Sequence, residues 1–261
     1  MNKGKLLTLI IAGLLISVIN VHAKDSGRSI YQIKIYLLKN KTQENQVDNY
    51  LRKAYIPALH RLGIEHVGVF KPVGNDTAAQ RKIYVLSPFH NMDEFSHLQQ
   101  KLQDDEQYLS DGEDYIDASY KNPPYERIQS IILRAFPESP NINLPSLSNP
   151  PLKRIYELRS YESPTEKLHR NKVHMFNYAP EISIFNQLDF NVVFYGHVLS
   201  GPSMPNLMYM PTFEDMATRD KLWDEFGNDP KWKQISSMDK YQHNVSKVNH
   251  WYLHPTEYSD I

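Results

Sequence analysis

Two short stretches, Tyr31–Tyr36 and Tyr156–Tyr161, alternate with the period of two that a strand requires. In the first, Tyr31, Ile33 and Ile35 share one face and Gln32, Lys34 and Tyr36 the other. In the second, Tyr156, Leu158 and Ser160 oppose Glu157, Arg159 and Tyr161. Each stretch opens a longer pattern. After the first, Val47, Leu51, Ala54, Ala58 and Leu62 recur at steps of three or four, which predicts a helix over about Glu44–Arg61, kinked or locally opened at Pro57. Strands are then expected at Ile64–Phe70 and Ile83–Leu86, a helix capped near Asn91-Met-Asp-Glu94, and a closing strand at Glu126–Phe136.

The second half repeats this order. Ser163-Pro-Thr-Glu166 spells a capping box with proline at the first helical position, and Tyr178-Ala-Pro180 answers Tyr55-Ile-Pro57. Phe190–Val198, Leu207–Met210 and Lys247–Leu253 supply the remaining strands, with a helix cap at Thr212–Asp215. Between the halves, residues 137–151 hold five prolines and few large apolar groups, the composition of a linker. The pattern predicts an α+β fold of two ferredoxin-like βαββαβ units, residues 30–136 and 152–254. Such units cover their second faces by stacking sheets or closing into a barrel, so one chain carries both halves of what is otherwise a symmetric dimer.

Tyr156-Glu-Leu-Arg-Ser-Tyr161, the helix containing Pro180, Tyr195-Gly-His197, Phe213-Glu-Asp-Met with Arg219, and Asp229-Pro-Lys-Trp232 resemble the NIPSNAP family of dimeric α+β barrel proteins. The resemblance spans about Ile30–His254 and is weaker in the first half, which has no tryptophan; Met208-Tyr-Met210 stands where the family tends to place one. It implies the fold. It implies no agreed chemistry, since the wider superfamily includes cofactor-free monooxygenases, haem-binding proteins and stress proteins.

If the aliphatic strand faces turn to the helices, the polar faces meet across the two halves, placing Lys34, Glu157 and Arg159 at the seam. The alternative is a polar pocket that orients a ligand. Together with the resemblance, the strand faces nominate Arg159, Tyr195, His197, Arg219 and Trp232 as ligand-binding candidates, whose polar atoms would then converge on one cavity. Trp223, Trp232 and Trp251 are expected to complete the core of the second half.

Composition narrows the rest. Lys3 and Lys5 precede an apolar run from Leu6 to Ile19 and a Val21-His-Ala23 cleavage signature, so Met1–Ala23 reads as a signal peptide and the mature chain as exported, periplasmic or secreted. The chain has no cysteine, which removes disulfides, thiol nucleophiles and cysteine-based zinc sites. Without the leader it holds 27 basic and 30 acidic residues, and neither half is basic, which argues against nucleic acid or an anionic membrane as partner.

Eleven histidines form no recognisable metal spacing; His66 and His197, expected on second strands, are candidates for acid-base or haem contact. Asp104–Asp114 is acidic without the ligand alternation of a calcium loop, and Gly201-Pro-Ser-Met-Pro205 lacks the second glycine of a nucleophile elbow. The sequence therefore points to a binding module for a small apolar or aromatic ligand, or for a protein partner, without metal or cofactor. The alternative is a cofactor-free oxygenase-like or haem-handling enzyme.

Overall fold

The computed structural model describes residues 27–261; the expected leader lies outside them. The first unit runs β1 (Ile30–Leu38), α1 (Lys41–Tyr50), α2 (Ile56–Arg61), β2 (Gly68–Pro72), β3 (Arg81–Phe89), α3 (Met92–Gln103), α4 (Glu106–Asp111), α5 (Glu113–Ile116) and β4 (Arg127–Ala135). The second runs β5 (Ile155–Glu162), α6 (Glu166–Tyr178), α7 (Glu181–Gln187), β6 (Tyr195–Ser200), β7 (Asn206–Tyr209), a two-residue β8 (Thr212–Phe213), α8 (Met216–Asn228), α9 (Pro230–Ser236) and β9 (Lys247–Pro255).

Local chemistry sets the helix ends. Asn91 caps α3 by accepting from the Glu94 N–H, and Asp215 caps α8 by accepting from the Thr218 N–H. In the second unit the cap is Thr165, which accepts from the Leu168 N–H. Pro164 therefore stands before the helix rather than inside its first turn, as the sequence reading had it. Pro57 has no N–H to give the carbonyl four residues back, and the chain takes a π-helical turn, Leu51–Tyr55, between α1 and α2.

All ladders are antiparallel. The first unit orders its strands β4-β1-β3-β2 and the second β9-β5-β7-β6. Their edges join twice: β4 pairs with β6, placing Ala135 opposite Gly196, and β2 pairs with β9, placing Phe70 opposite Pro255. Eight strands thus close into a barrel, with β8 outside the ring against the start of β5. Closure leaves neither sheet an open edge.

The barrel corrects the assignment of faces. Tyr31, Ile33 and Ile35 cluster with Tyr156, Leu158, Phe70 and Leu253, so the aliphatic faces point into the barrel and not towards the helices. A closed interior offers long polar chains neither water nor helix partners, so the smaller apolar face fills it. Lys34, Glu157 and Arg159 face the helices instead of the seam: the Lys34 ammonium sits 3.4 Å from the Tyr55 hydroxyl, and Glu157 is bound from α8. Trp223 and Trp232 pack in the second unit's helix layer, whereas Trp251 lies against the barrel interior. His66 precedes β2 with φ 61°, so it is not a strand residue.

Candidate functional site

The helix layer of the second unit is built on the polar face of β5. Glu157 has no exposed surface. Its carboxylate accepts from Arg159 on the same strand, from Arg219 Nε at 2.9 Å and Nη2 at 3.0 Å, and from the Trp223 indole N–H at 2.9 Å. Arg219 and Trp223 stand one turn apart on α8, which is why both reach one carboxylate. The Arg159 guanidinium lies 4.2 Å from the Trp223 ring centroid and donates to the Tyr161 hydroxyl, which accepts in turn from Tyr209 at 2.7 Å. Burial would raise the Glu157 carboxyl, but its bonds to Arg219, Arg159 and Trp223 outweigh that and hold it below the usual range.

A second buried pair faces this network. The Lys172 ammonium on α6 donates to both oxygens of Glu181 on α7, at 2.9 and 3.1 Å. The helix stops at Tyr178, and Pro180 restarts it so that Glu181 folds back towards Lys172. Burial pushes the Glu181 carboxyl up, and the ammonium opposes that.

Beside the pair stands Tyr195. Its ring stacks on Tyr209 at 5.8 Å and packs against Phe176 and Phe185. The residue is 2% exposed, and its hydroxyl is buried with no hydrogen-bond partner. Such a group costs about 1–3 kcal/mol in a fold that leaves it unpaired. Tyr195 also lines a cavity of about 380 Å³ between the segment after β4, the α7 helix and the loop that follows it. Ile182 and Val192 form apolar wall there; Asn186, Asp189 and Asn191 form polar wall.

The sequence nominees therefore divide. Arg159 and Arg219 come together, but on Glu157, so they satisfy a carboxylate of the chain itself. Trp232 packs on Phe226 at 4.5 Å and lies 5.5 Å from the Lys172 ammonium. Of the five, Tyr195 alone lines the cavity. His197 lies two residues along β6, opposite Arg134 and Leu207 in the ladders. Lys172 and Glu181 went unmarked in the sequence, being nine residues apart across a helix break that no regular spacing bridges.

The first unit does without this arrangement. Gln32 occupies the place of Glu157, 125 residues earlier, and Lys34 that of Arg159; Gln32 donates to Ser130 at 2.8 Å. Tyrosines fill the layer, with Tyr50 bonded to Tyr108 at 2.8 Å and stacked on Tyr115 at 3.7 Å. Its buried carboxylate, Glu44, is elsewhere, held by Lys41, Lys71 and Arg81 at 2.7–2.8 Å.

Two ferredoxin-like units closed edge to edge define a dimeric α+β barrel carried on a single chain. The NIPSNAP family model matches residues 156–260, which is the second unit. The solved structure of a "putative monooxygenase" from Lactobacillus acidophilus NCFM covers 87% of this chain and 94% of its own, with TM-score 0.55 at 10% identity. A protein described in the same words from Fusobacterium nucleatum covers 88% and 93%, with TM-score 0.52 at 8% identity. An uncharacterized NIPSNAP-like domain protein from Burkholderia xenovorans covers 41% of this chain and 88% of its own, with TM-score 0.37 at 18% identity. No curated protein matches the sequence.

A haem does not fit the second unit's helix layer. Phe176, Phe185, Tyr195 and Tyr209 occupy it with ring centroids 5.3–6.4 Å apart, and all are buried. Among the described residues no three His, Asp or Glu side chains gather as metal ligands, and no helix is long and apolar enough to cross a membrane.

Proposed function

We propose that this chain is an exported binding module that holds a small molecule, without turnover, in the cavity beside Tyr195. The observation that carries the reading is the cavity lined by Tyr195, a residue whose hydroxyl is buried and has no partner within the fold. The cavity's 380 Å³ lies in the range of small-molecule sites. The ionised groups behind it are matched to one another, Lys172 with Glu181 and both arginines with Glu157, which makes them a rigid wall. The matched pairs themselves supply no free acid or base for proton transfer, and the cavity's own carboxylates, Glu138 and Asp189, are exposed to water, which supports binding over catalysis.

The names of the two full-length structural neighbours favour a second reading, in which a bound substrate reacts with dioxygen. Identities of 8–10% carry the shared fold alone. One experiment separates the two. Purified protein is screened by thermal shift against small molecules, and each ligand that stabilises it is then followed for oxygen uptake. A ligand at 100 times its dissociation constant stabilises the native state by about 2.7 kcal/mol. Binding with no oxygen consumed, and with chemical-shift changes centred on Asn186, Asn191 and Tyr195, supports the module. Oxygen uptake with turnover transfers the case to the second reading, and shifts confined to the barrel interior end both.

A further inference from the structure

We infer that the ligand of the Tyr195 cavity is a neutral, polyhydroxylated molecule of the carbohydrate class, recognised by amide and carboxylate side chains. The inference rests on the reading of this cavity as a binding site and names what it takes.

Charge excludes one class at once. No lysine, arginine or histidine lines the cavity, so a phosphate, sulfate or carboxylate would enter beside Glu138 and Asp189 with no cation to receive it. An apolar ligand fares little better, because it would strip water from four asparagines, Asn141, Asn143, Asn186 and Asn191, and return no hydrogen bond.

Among neutral ligands, what remains is one whose groups both donate and accept, which four asparagines favour over a simple cation. An asparagine amide presents a donor and an acceptor side by side, a carboxylate presents acceptors, and adjacent hydroxyls on a ring answer both. Several of these groups are free to do so. Among the described residues, the side chains of Glu138, Asn186 and Asp189 make no hydrogen bond within the protein. Asn141 uses only its carbonyl, accepting from Ser29 at 3.3 Å, and Asn191 only its amide nitrogen, donating to the Asp189 carbonyl at 3.1 Å.

Two left-handed residues shape the loop. Asp189 and Asn191 take φ of 56° and 45°, left-handed values that Asp and Asn tolerate better than most residues. Ile182 and Val192 give the apolar strip against which the C–H face of a sugar ring would lie. Tyr195 also lines the cavity, and its hydroxyl is one of five among the described residues that are buried without a partner.

The test titrates the purified protein calorimetrically with glucose, galactose and N-acetylglucosamine. Three controls accompany them: cyclohexanol, a ring with one hydroxyl; glucose 6-phosphate, the same ring with an anion; and glucosamine, with a cation. The inference expects at least one of the three sugars to bind tenfold or more tighter than cyclohexanol and glucose 6-phosphate. Tyr195→Phe, which removes one oxygen, and Asn186→Ala on the exposed wall should each weaken that sugar at least fivefold while circular dichroism stays unchanged. Lys34→Gln, in the other unit, should leave affinity within twofold. Cyclohexanol binding as tightly as the sugars would overturn the carbohydrate class and leave the binding module standing. Glucosamine binding where glucose does not would overturn it too, by showing recognition of charge. If nothing in the set binds, the inference falls, and if the wider thermal-shift screen is also silent the binding reading falls with it.

Discussion

Trp223 donates its indole N–H to the Glu157 carboxylate across 2.9 Å, fastening α8 to the first strand of its unit. That carboxylate also receives Arg159 and Arg219, so one buried anion holds three donors of two elements in place. Removing the charge strands two guanidiniums. Glu157→Gln should therefore lose about 3 kcal/mol of stability. Urea denaturation reads the loss directly. Glu157→Gln with Arg159→Lys recreates the Gln32 and Lys34 pair of the first unit, and its loss should be smaller than the sum of the two single changes.

Glu44 gives the fold an acid limit. Burial raises its pKa, but hydrogen bonds from Lys41, Lys71 and Arg81 outweigh that and bring it down to about 2, against an unfolded value near 4.5. A folded pKa below the unfolded one contributes stability that is present above about pH 4.5 and lost as pH falls towards 2. The contribution is about 2–3 kcal/mol. Chemical denaturation at pH 5.5 and at pH 2.5 should show that loss, and Glu44→Gln should flatten its share of it.

Tyr195→Phe should leave the free protein as stable as before, or raise its stability by up to about 1 kcal/mol, because the lost hydroxyl satisfied nothing. Differential scanning calorimetry checks this. A fall of 2 kcal/mol would mean that the hydroxyl has a partner within the fold.

Gly68→Ala probes the barrel interior. A Cβ there would stand 2.6 Å from the Phe70 ring and 3.0 Å from Ile261, and Phe70 in turn packs on Tyr156 at 4.9 Å. Phe70 has no exposed surface and cannot swing away, so the change should cost about 1–3 kcal/mol of overpacking. Urea midpoints with an unchanged slope would show that the loss is one of stability alone.

The duplicated strand order was legible because each element carried its own periodicity: Tyr31–Tyr36 alternates, and Val47, Leu51, Ala54 and Ala58 step round one helix face. Asn91 and Asp215 announced their helices, and Pro57 its irregular turn. Which face of β1 and β5 turns inward was not legible, since alternation separates two faces without saying what each will meet. Barrel closure decides that, through the β4–β6 and β2–β9 ladders, whose partners lie far apart in sequence. The site shared this fate. Arg159 and Arg219 could be nominated from strand and helix positions, but their convergence on Glu157, Lys172's reach to Glu181, and the cavity lined by the segment after β4 are tertiary facts.

The two cross-unit ladders also fix how this protein meets dilution. A barrel closed from two separate chains would lose its partner at low concentration. Here the second set of edges is tethered by residues 137–151, so its local concentration stays constant however few molecules are present. That makes the barrel's integrity a property of each molecule rather than of the population.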